Sequence, residues 1–428
     1  MMKKWLSVLL AAVLLTLLAV GAAAETSGDY EYELVDGKAT ITKYNGSATA
    51  LTVPASLDGH AVDRVGETAF AGCYELTSVT LPEGLTGIDA EAFFTCDALE
   101  TVSLPDSLTD LATDAFYGCV ALRAIALPGR VARLAGNPFT GCSALTEITV
   151  AAGNAALEIR DGLLYNRAED ALVCWPQGLA VGSCAVPEGT RAIAPEAFFG
   201  CEAVTGVELP DSVAAIGNDA FRYCAAMEEI RIPADLATLG DSAFEGCSSL
   251  KSIELPRGLT RIPPWLLRDC DALVSMTVPE GVRSIAMDAF ESCEALSRVI
   301  LPASLTEVDM FAFYDCNALT DVYFTGTQAQ WDAMSVEDFN DPLTEATFHL
   351  GILREADVDL PEDLRAIESQ AFADLEGGLL VRFPEGVESI ADDAFPPAGG
   401  EAPIEFIAPS GSYAESWCQA HGYTVWTE

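Results

Sequence analysis

The stretch Leu99-Glu-Thr-Val102-Ser-Leu104-Pro105-Asp-Ser-Leu108-Thr-Asp-Leu111-Ala-Thr-Asp-Ala115-Phe116-Tyr-Gly-Cys119 decides the fold, because its pattern recurs along most of the chain. Its cysteine is one mark on a ruler: Cys73, Cys96, Cys119 and Cys142 are 23 residues apart, as are Cys201, Cys224, Cys247, Cys270, Cys293 and Cys316. A phenylalanine three places earlier keeps the same beat from Phe70 to Phe139 and from Phe198 to Phe313, with Leu267 replacing one ring. Phe372 and Phe395 continue it without the cysteine. A fixed period of this size means a stacked repeat array.

Within one unit, Val102 and Leu104 alternate inward with outward residues, which is the strand period. Pro105 then stops the strand, since it cannot donate to a ladder between turns. Ala115-Phe116-x-x-Cys119 is too short for a long helix and reads as a tight turn or helical turn with Ala and Phe inward. No unit can bury its own apolar face, so successive phenylalanines must stack in columns. The expected fold is a repeat solenoid, with a parallel β-sheet on one face and short turns or helical turns on the other. About fourteen turns at roughly 4.8 Å each predict an array about 65 Å long. The ruler sets the register, so Phe93 and Phe116 are expected to stack.

Two intervals, Phe139 to Phe198 and Phe313 to Phe372, are 59 residues each and break the period. In the first, Asp161-Gly162 through Trp175-Pro176 reads as a hairpin protruding from one expanded turn. In the second, Val322 opens a turn that runs on through Gly326 and Trp331 into an irregular acidic stretch. Alternating Tyr32, Leu34, Ile41 and Tyr44 read as an N-terminal cap, and Ser412 with Glu415, then Gly422, mark a C-terminal helix start and stop. The boundaries are a signal peptide over 1–24, an N-terminal cap over 25–50 and the repeat array over 51–325 with its hairpin insertion at 151–185. An irregular insertion over 326–350, final repeats over 351–396 and a C-terminal cap over 397–428 complete it.

Met1-Met2-Lys3-Lys4, an apolar run from Trp5 to Val20, and Gly21-Ala22-Ala23-Ala24 make the basic, hydrophobic and small-residue regions of a secretory signal, with cleavage expected after Ala24. The run is short for a spanning helix. Tyr423 to Glu428 shows neither a hydrophobic tail nor a sorting motif, so secretion without an evident covalent anchor or later transmembrane segment is expected. The 428 residues are 50% hydrophobic and 20% charged, which excludes a disordered polyelectrolyte. Asp plus Glu number 65 against 22 Lys plus Arg, a net charge of −43. That charge argues against nucleic acid, whose phosphates need the opposite sign.

These residues resemble the BspA-like leucine-rich repeat family of bacterial surface and secreted proteins. The repeat carries the resemblance over roughly residues 50 to 396, joined by Asp161 to Asn166 (D-G-L-L-Y-N), Gly326 to Trp331 (G-T-x-x-Q-W) and Gly411 to Ala414 (G-S-Y-A). The resemblance implies surface display and adhesion or protein binding, without fixing a ligand. Leu267 and the cysteines missing after Phe372 and Phe395 depart from the pattern.

The chemistry-bearing residues give little else. There is no Cys-x-x-Cys, so the thiols read as buried small hydrophobes rather than a zinc or redox site; a pairing of Cys174 with Cys184 is the alternative. His60, His349 and His421 are far apart and in no catalytic motif, so no enzyme activity and no cofactor are expected. Acids follow the strand proline, as at Glu83, Asp106, Glu362 and Glu385, and others precede the Ala-Phe pair, as at Glu91, Asp114, Glu196 and Asp219. They read as a solvated edge and turn chemistry, with calcium between Glu83 and Asp106 as the competing reading. Asp357-Val-Asp359 lacks the rest of a calcium loop.

A ligand would meet the outward strand positions, among them Arg123, Arg231 and Lys251, or the aromatics Tyr165, Trp175 and Trp331, which read as exposed on the insertions. The chain is thus expected to be a secreted or cell-surface, non-enzymatic module binding a protein or glycan. A structural, self-assembling envelope protein is the alternative.

Overall fold

The computed structural model describes residues 24–179, 182–350, 358–361, 363–372, 380–396, 404–409 and 411–427. The expected signal peptide, apart from Ala24, lies outside the described residues, as do Asp357 and Glu362. The chain forms a β-solenoid of about sixteen turns with parallel sheets and little helix, against the roughly fourteen that repeat spacing predicts. It divides into two compact units. One takes in the chain up to Arg298 with Ser304–Thr320 and Met334–Ala346; the other comprises Val299–Ala303, Asp321–Ala333 and Thr347–Glu428.

In the first unit the L-x-x-I-x-L segments form short strands that pair in parallel one repeat apart, with Ser78 opposite Thr101 and Val207 opposite Ile230. In Ala124–Leu127, Ile125 and Leu127 are buried while Ala124 and Ala126 face solvent, as the strand period requires. Beyond the proline lies a second parallel ladder that periodicity did not reveal. Gly87–Ile88 pairs with Asp110–Leu111, and Ala215–Ile216 lies between Ala192–Ile193 and Thr238–Leu239. These strands are two residues long, too short to show alternation.

The Ala-Phe-x-x-Cys segment closes each turn. Phe93 stacks on Phe70 at 4.9 Å and on Phe116 at 5.1 Å, with ring planes 9° apart in both pairs. Burying one such ring is worth about 1.5–3 kcal/mol, and each stacked pair adds about 0.5–1.5 kcal/mol, so the column is a main source of stability. The Phe93 amide donates to the Ala115 carbonyl of the next turn at 2.9 Å.

Two positions of the closing segment repeatedly turn left-handed. One lies two places before the phenylalanine, as at Glu91 (φ 55°) and Asp114 (φ 60°), and the other two places after it, as at Gly72 (φ 70°) and Gly118 (φ 71°). Glycine adopts this backbone without a Cβ clash, which accounts for the recurring Gly-Cys pair.

At the N-terminus, Tyr30–Val35 and Lys38–Tyr44 pair antiparallel and bury Tyr32 and Ile41. The Tyr44 ring then stacks on Phe70 at 5.3 Å, so the cap begins the phenylalanine column.

The 151–185 segment corrects one expectation. Leu163–Asn166 and Ala171–Cys174 do pair antiparallel, with Leu157–Arg160 as a third strand. The hairpin does not protrude, however. Every residue of its two strands is buried, and Ala171 and Leu172 pair in parallel with Ala192 and Ile193. Leu163, Leu164, Leu172 and Val173 give it apolar side chains on both faces, and a strand of that kind is stable only when covered on both sides.

In the second unit Leu380–Arg382, Glu405–Ala408 and Val425–Thr427 form a parallel sheet, over which Phe383, Phe395, Phe406 and Trp417 pack as a core. Phe395 stacks on Phe372 at 5.0 Å. Helix Tyr413–Ala420 starts at Ser412, whose hydroxyl accepts the Glu415 amide at 3.1 Å. The Glu415 carboxylate accepts the Gly411 amide, one residue before the partner that a full capping box uses. Gly422 (φ 76°) ends the helix. A complete capping box occurs instead at Thr327 and Gln330, opening helix Gln328–Asp332 and giving the Gly326 to Trp331 motif its structural reason.

Candidate interaction surfaces

The aromatic candidates divide. Tyr165 has no exposed surface; its hydroxyl lies 3.0 Å from that of Thr190, and the Arg160 guanidinium covers its ring at 4.7 Å. Trp175 is buried too and stacks on Phe198 at 5.0 Å. Its amide donates to the Ala197 carbonyl, as column phenylalanines do one turn apart. Trp175 is therefore the missing ring of the column, 23 residues before Phe198. The exposure expected of both residues is corrected: the insertion that carries them was absorbed into the core. Trp331 is half-buried against Phe348 at 4.2 Å and Phe324 at 5.6 Å.

The cationic candidates lie on the outward strand face or beside it. Arg123 and Lys251 are exposed, and Lys251 pairs with Glu228 one repeat earlier. Arg231 is exposed and reaches Asp211 at 2.9 Å and the Leu209 carbonyl at 3.2 Å. These contacts are solvated, so each contributes little to stability and is free to exchange for a ligand's.

Glu83 and Asp106 are exposed one repeat apart, and a Glu83 carboxylate oxygen accepts the Asp106 amide at 3.4 Å. Among the described residues no group of three or more His, Cys, Asp or Glu is placed to hold a metal ion. All thirteen cysteines are free, Cys174 buried and Cys184 half-buried. The Cys184 side chain takes the isoleucine position of its strand, opposite Val207. The histidines are held locally: His60 against the Gly37 carbonyl, His349 against Asp321 at 2.8 Å, and His421 against Asp392 at 3.2 Å.

Two features were not named from sequence. Asn137 holds the slot two places before Phe139; its carbonyl accepts the Asp114 amide, and its side-chain amide donates to the Glu196 carbonyl, both at 3.0 Å. This joins the acids of two turns that are 82 residues apart. Glu196 accepts the Thr140 hydroxyl at 3.0 Å. Burial, then the neighbouring Asp114 charge, push the Glu196 carboxyl up to about 8, and burial raises Asp114 as well. The second feature is a group of exposed apolar residues: Met287, Met310, Tyr314 and Phe339. Its signal was present in the sequence, because Trp265 and Phe311 occupy a slot that most other turns fill with an acid, an amide, serine or threonine.

The parallel ladders, the phenylalanine column and the closing turn define a leucine-rich repeat solenoid. The chain belongs to the BspA type leucine-rich repeat family, whose model, in six copies, matches residues 60–167, 177–273, 266–341 and 355–399. No curated protein matches the chain. Among solved structures it is similar to a leucine-rich repeat protein from Eubacterium ventriosum, with 19% identity, a TM-score of 0.58, and coverage of 80% of this chain and 96% of that one. It is also similar to a leucine-rich cell surface protein from Faecalibacterium prausnitzii, with 27% identity, a TM-score of 0.47, and coverage of 74% and 98%. A leucine-rich repeat protein from Bacteroides ovatus gives 20% identity, a TM-score of 0.42, and coverage of 94% and 99%. Among the described residues no helix is long and apolar enough to cross a membrane.

Proposed function

We propose that the chain is a secreted or cell-surface interaction module, non-enzymatic, that binds a protein or glycan through the outward face of its strand ladder. Family membership and the repeated polar surface support this reading. The observation that carries it is constant register within each ladder: paired strands place their outward residues one repeat apart, as Thr80 and Ser103 do, and Glu208 and Arg231. A ligand laid along the array would thus meet a row of evenly spaced hydroxyls and charges. Such a row suits an extended polar partner better than a small molecule, which needs a concave pocket. Arg123, Arg231 and Lys251 are the cations proposed to contact it; Trp331, in the other compact unit, is proposed separately as an aromatic ligand contact.

The test is a protein and glycan array probed with the chain from Glu25 onward, with and without EDTA. Binding reduced by an R123A/R231A/K251A variant supports the reading, and silence across the array overturns it. Loss of signal in EDTA would move the site to Glu83 and Asp106.

A further inference from the structure

The slot two places before the column phenylalanine is left-handed in most turns of the first unit. Small or acidic residues hold it cheaply, as at Asp219, Ser242 and Asp288. Trp265 (φ 54°) and Phe311 (φ 61°) hold it in two later turns, and Phe339 (φ 66°), against Phe311, is left-handed too. A bulky residue in this region is strained, because its Cβ crowds the following carbonyl.

Trp265 and Phe311 are only half-buried, so core packing alone does not account for the choice. Phe339 is 49% exposed, Met287 43% and Tyr314 38%. Phe311 stacks on Phe339 at 4.5 Å and meets Tyr314 edge-on at 5.4 Å. Met287 and Met310 fill the preceding slot in successive turns. Together they make an apolar strip along one corner of several turns, and a contiguous exposed patch of this kind marks an interaction site.

The rim states what would cover it. Asp288 accepts the Trp265 indole N–H at 2.8 Å, Glu337 accepts the Met310 amide at 3.2 Å, and Asp338 accepts the Phe311 amide through its carbonyl, leaving its exposed carboxylate outward. The nearby cations are already engaged, Arg268 with Glu291 at 2.9 Å and Arg261 with Asp309 at 3.4 Å. We infer that this strip docks a segment of a partner protein in which lysines or arginines flank apolar side chains. Methionine and aromatic surfaces adapt to apolar groups, ring faces attract cations, and the carboxylate rim selects the positive sign. A second copy would bring the same acidic rim and a net charge of −43. The inference rests on the interaction-module reading but names a different face of the turn.

Fluorescence anisotropy tests it, using two labelled peptides with one apolar pattern, flanked by lysines in one and glutamates in the other. The lysine peptide is expected to bind, weakening several-fold as salt is raised, and the glutamate peptide is expected not to bind. F311N/F339N should lower the affinity at least tenfold while the thermal midpoint stays level or rises, since asparagine tolerates the left-handed backbone. M287S/M310S, which leaves those backbones alone, should weaken binding as well, and R123A/K251A should not. Equal binding of both peptides, wild-type affinity in F311N/F339N, or a lowered midpoint in that variant would each overturn the inference. So would a dimer, seen by light scattering, that the variant dissolves. If any of these outcomes overturns the inference, array ligands that F311N/F339N still binds leave the strand-face function standing.

Discussion

The Cys119 thiol donates to the Phe93 carbonyl, 3.3 Å away in the preceding turn. That carbonyl already accepts the Cys96 amide of its own turn at 3.3 Å, so the thiol engages its second lone pair. The contact repeats from Cys224 to Phe198 at 3.1 Å and from Cys316 to Phe290 at 3.0 Å. Cysteine suits the slot because it is a small hydrophobe that carries one weak donor. Replacing Cys224 by alanine removes the donor and leaves a small void, for an expected loss of about 1–2 kcal/mol in urea unfolding. An unchanged midpoint would mean that the thiol contributes bulk alone.

Thiol chemistry should follow burial. Burial pushes the Cys224 thiol up to about 12 and the Cys184 thiol up to about 11, and only the thiolate is nucleophilic. At pH 8 the folded chain should react slowly with a charged disulfide reagent, first at Cys73 and Cys184, which alone are half-exposed. Denaturant without reductant should release all thirteen thiols. A count of eleven would point to a disulfide, with Cys174 and Cys184 the pair to examine.

The repeat spacing carried much of the first unit's fold. A 23-residue ruler predicts that Phe93 stacks on Phe116, and it does, with strand register moving by the same step. The second ladder was hidden because a two-residue strand such as Gly87–Ile88 has no period. Trp175 was misread for a different reason: a 59-residue interval looked like an excursion, although Trp175 keeps the beat with Phe198. The Asp114 and Glu196 neighbourhood was not legible at all, because it depends on which turns become adjacent once the hairpin is absorbed. The outward cations could be placed on a face from alternation, but ligand identity has no counterpart in a pattern that repeats.

Trp175 and Gly178 test the absorbed turn. W175F keeps a ring in the column and removes an indole N–H that is buried without a partner, so it should change stability by less than about 1.5 kcal/mol. W175A should cost about 3–5 kcal/mol. Gly178 stands where the ruler would put a cysteine, 23 residues before Cys201. A Cβ there would come within 2.8 Å of the Ala144 carbonyl carbon and the Leu145 oxygen. Restoring the repeat with G178C should therefore destabilise, by about 1–3 kcal/mol, and a stabilised variant would contradict this packing.

Left-handed positions offer a change in the opposite direction. Thr68 has φ 57°, a conformation that its β-branched side chain disfavours. T68N should raise stability by about 0.5–1 kcal/mol, since asparagine enters this region more readily. Thermal unfolding of the two chains decides it, and a lowered midpoint would show that the Thr68 side chain makes a stabilising contact.

The sign of the pH dependence follows from Glu196. Its carboxyl is raised to about 8 by burial and by Asp114, whereas an unfolded glutamate titrates near 4.3. The folded state therefore holds a proton that the unfolded state releases across this interval. The resulting stabilisation is full below the unfolded value and is lost as pH rises through the folded one. Asp114 and Asp219, both raised chiefly by burial, add in the same direction. The thermal midpoint is expected to fall by several degrees between pH 5 and pH 8.5. E196Q, which keeps an uncharged hydrogen-bonding side chain beside Thr140, should flatten that fall and be more stable than the parent at pH 8.5. Parallel profiles for the two proteins would show that Glu196 stays ionised in the folded chain, and that Asp114 and Thr140 accommodate its charge.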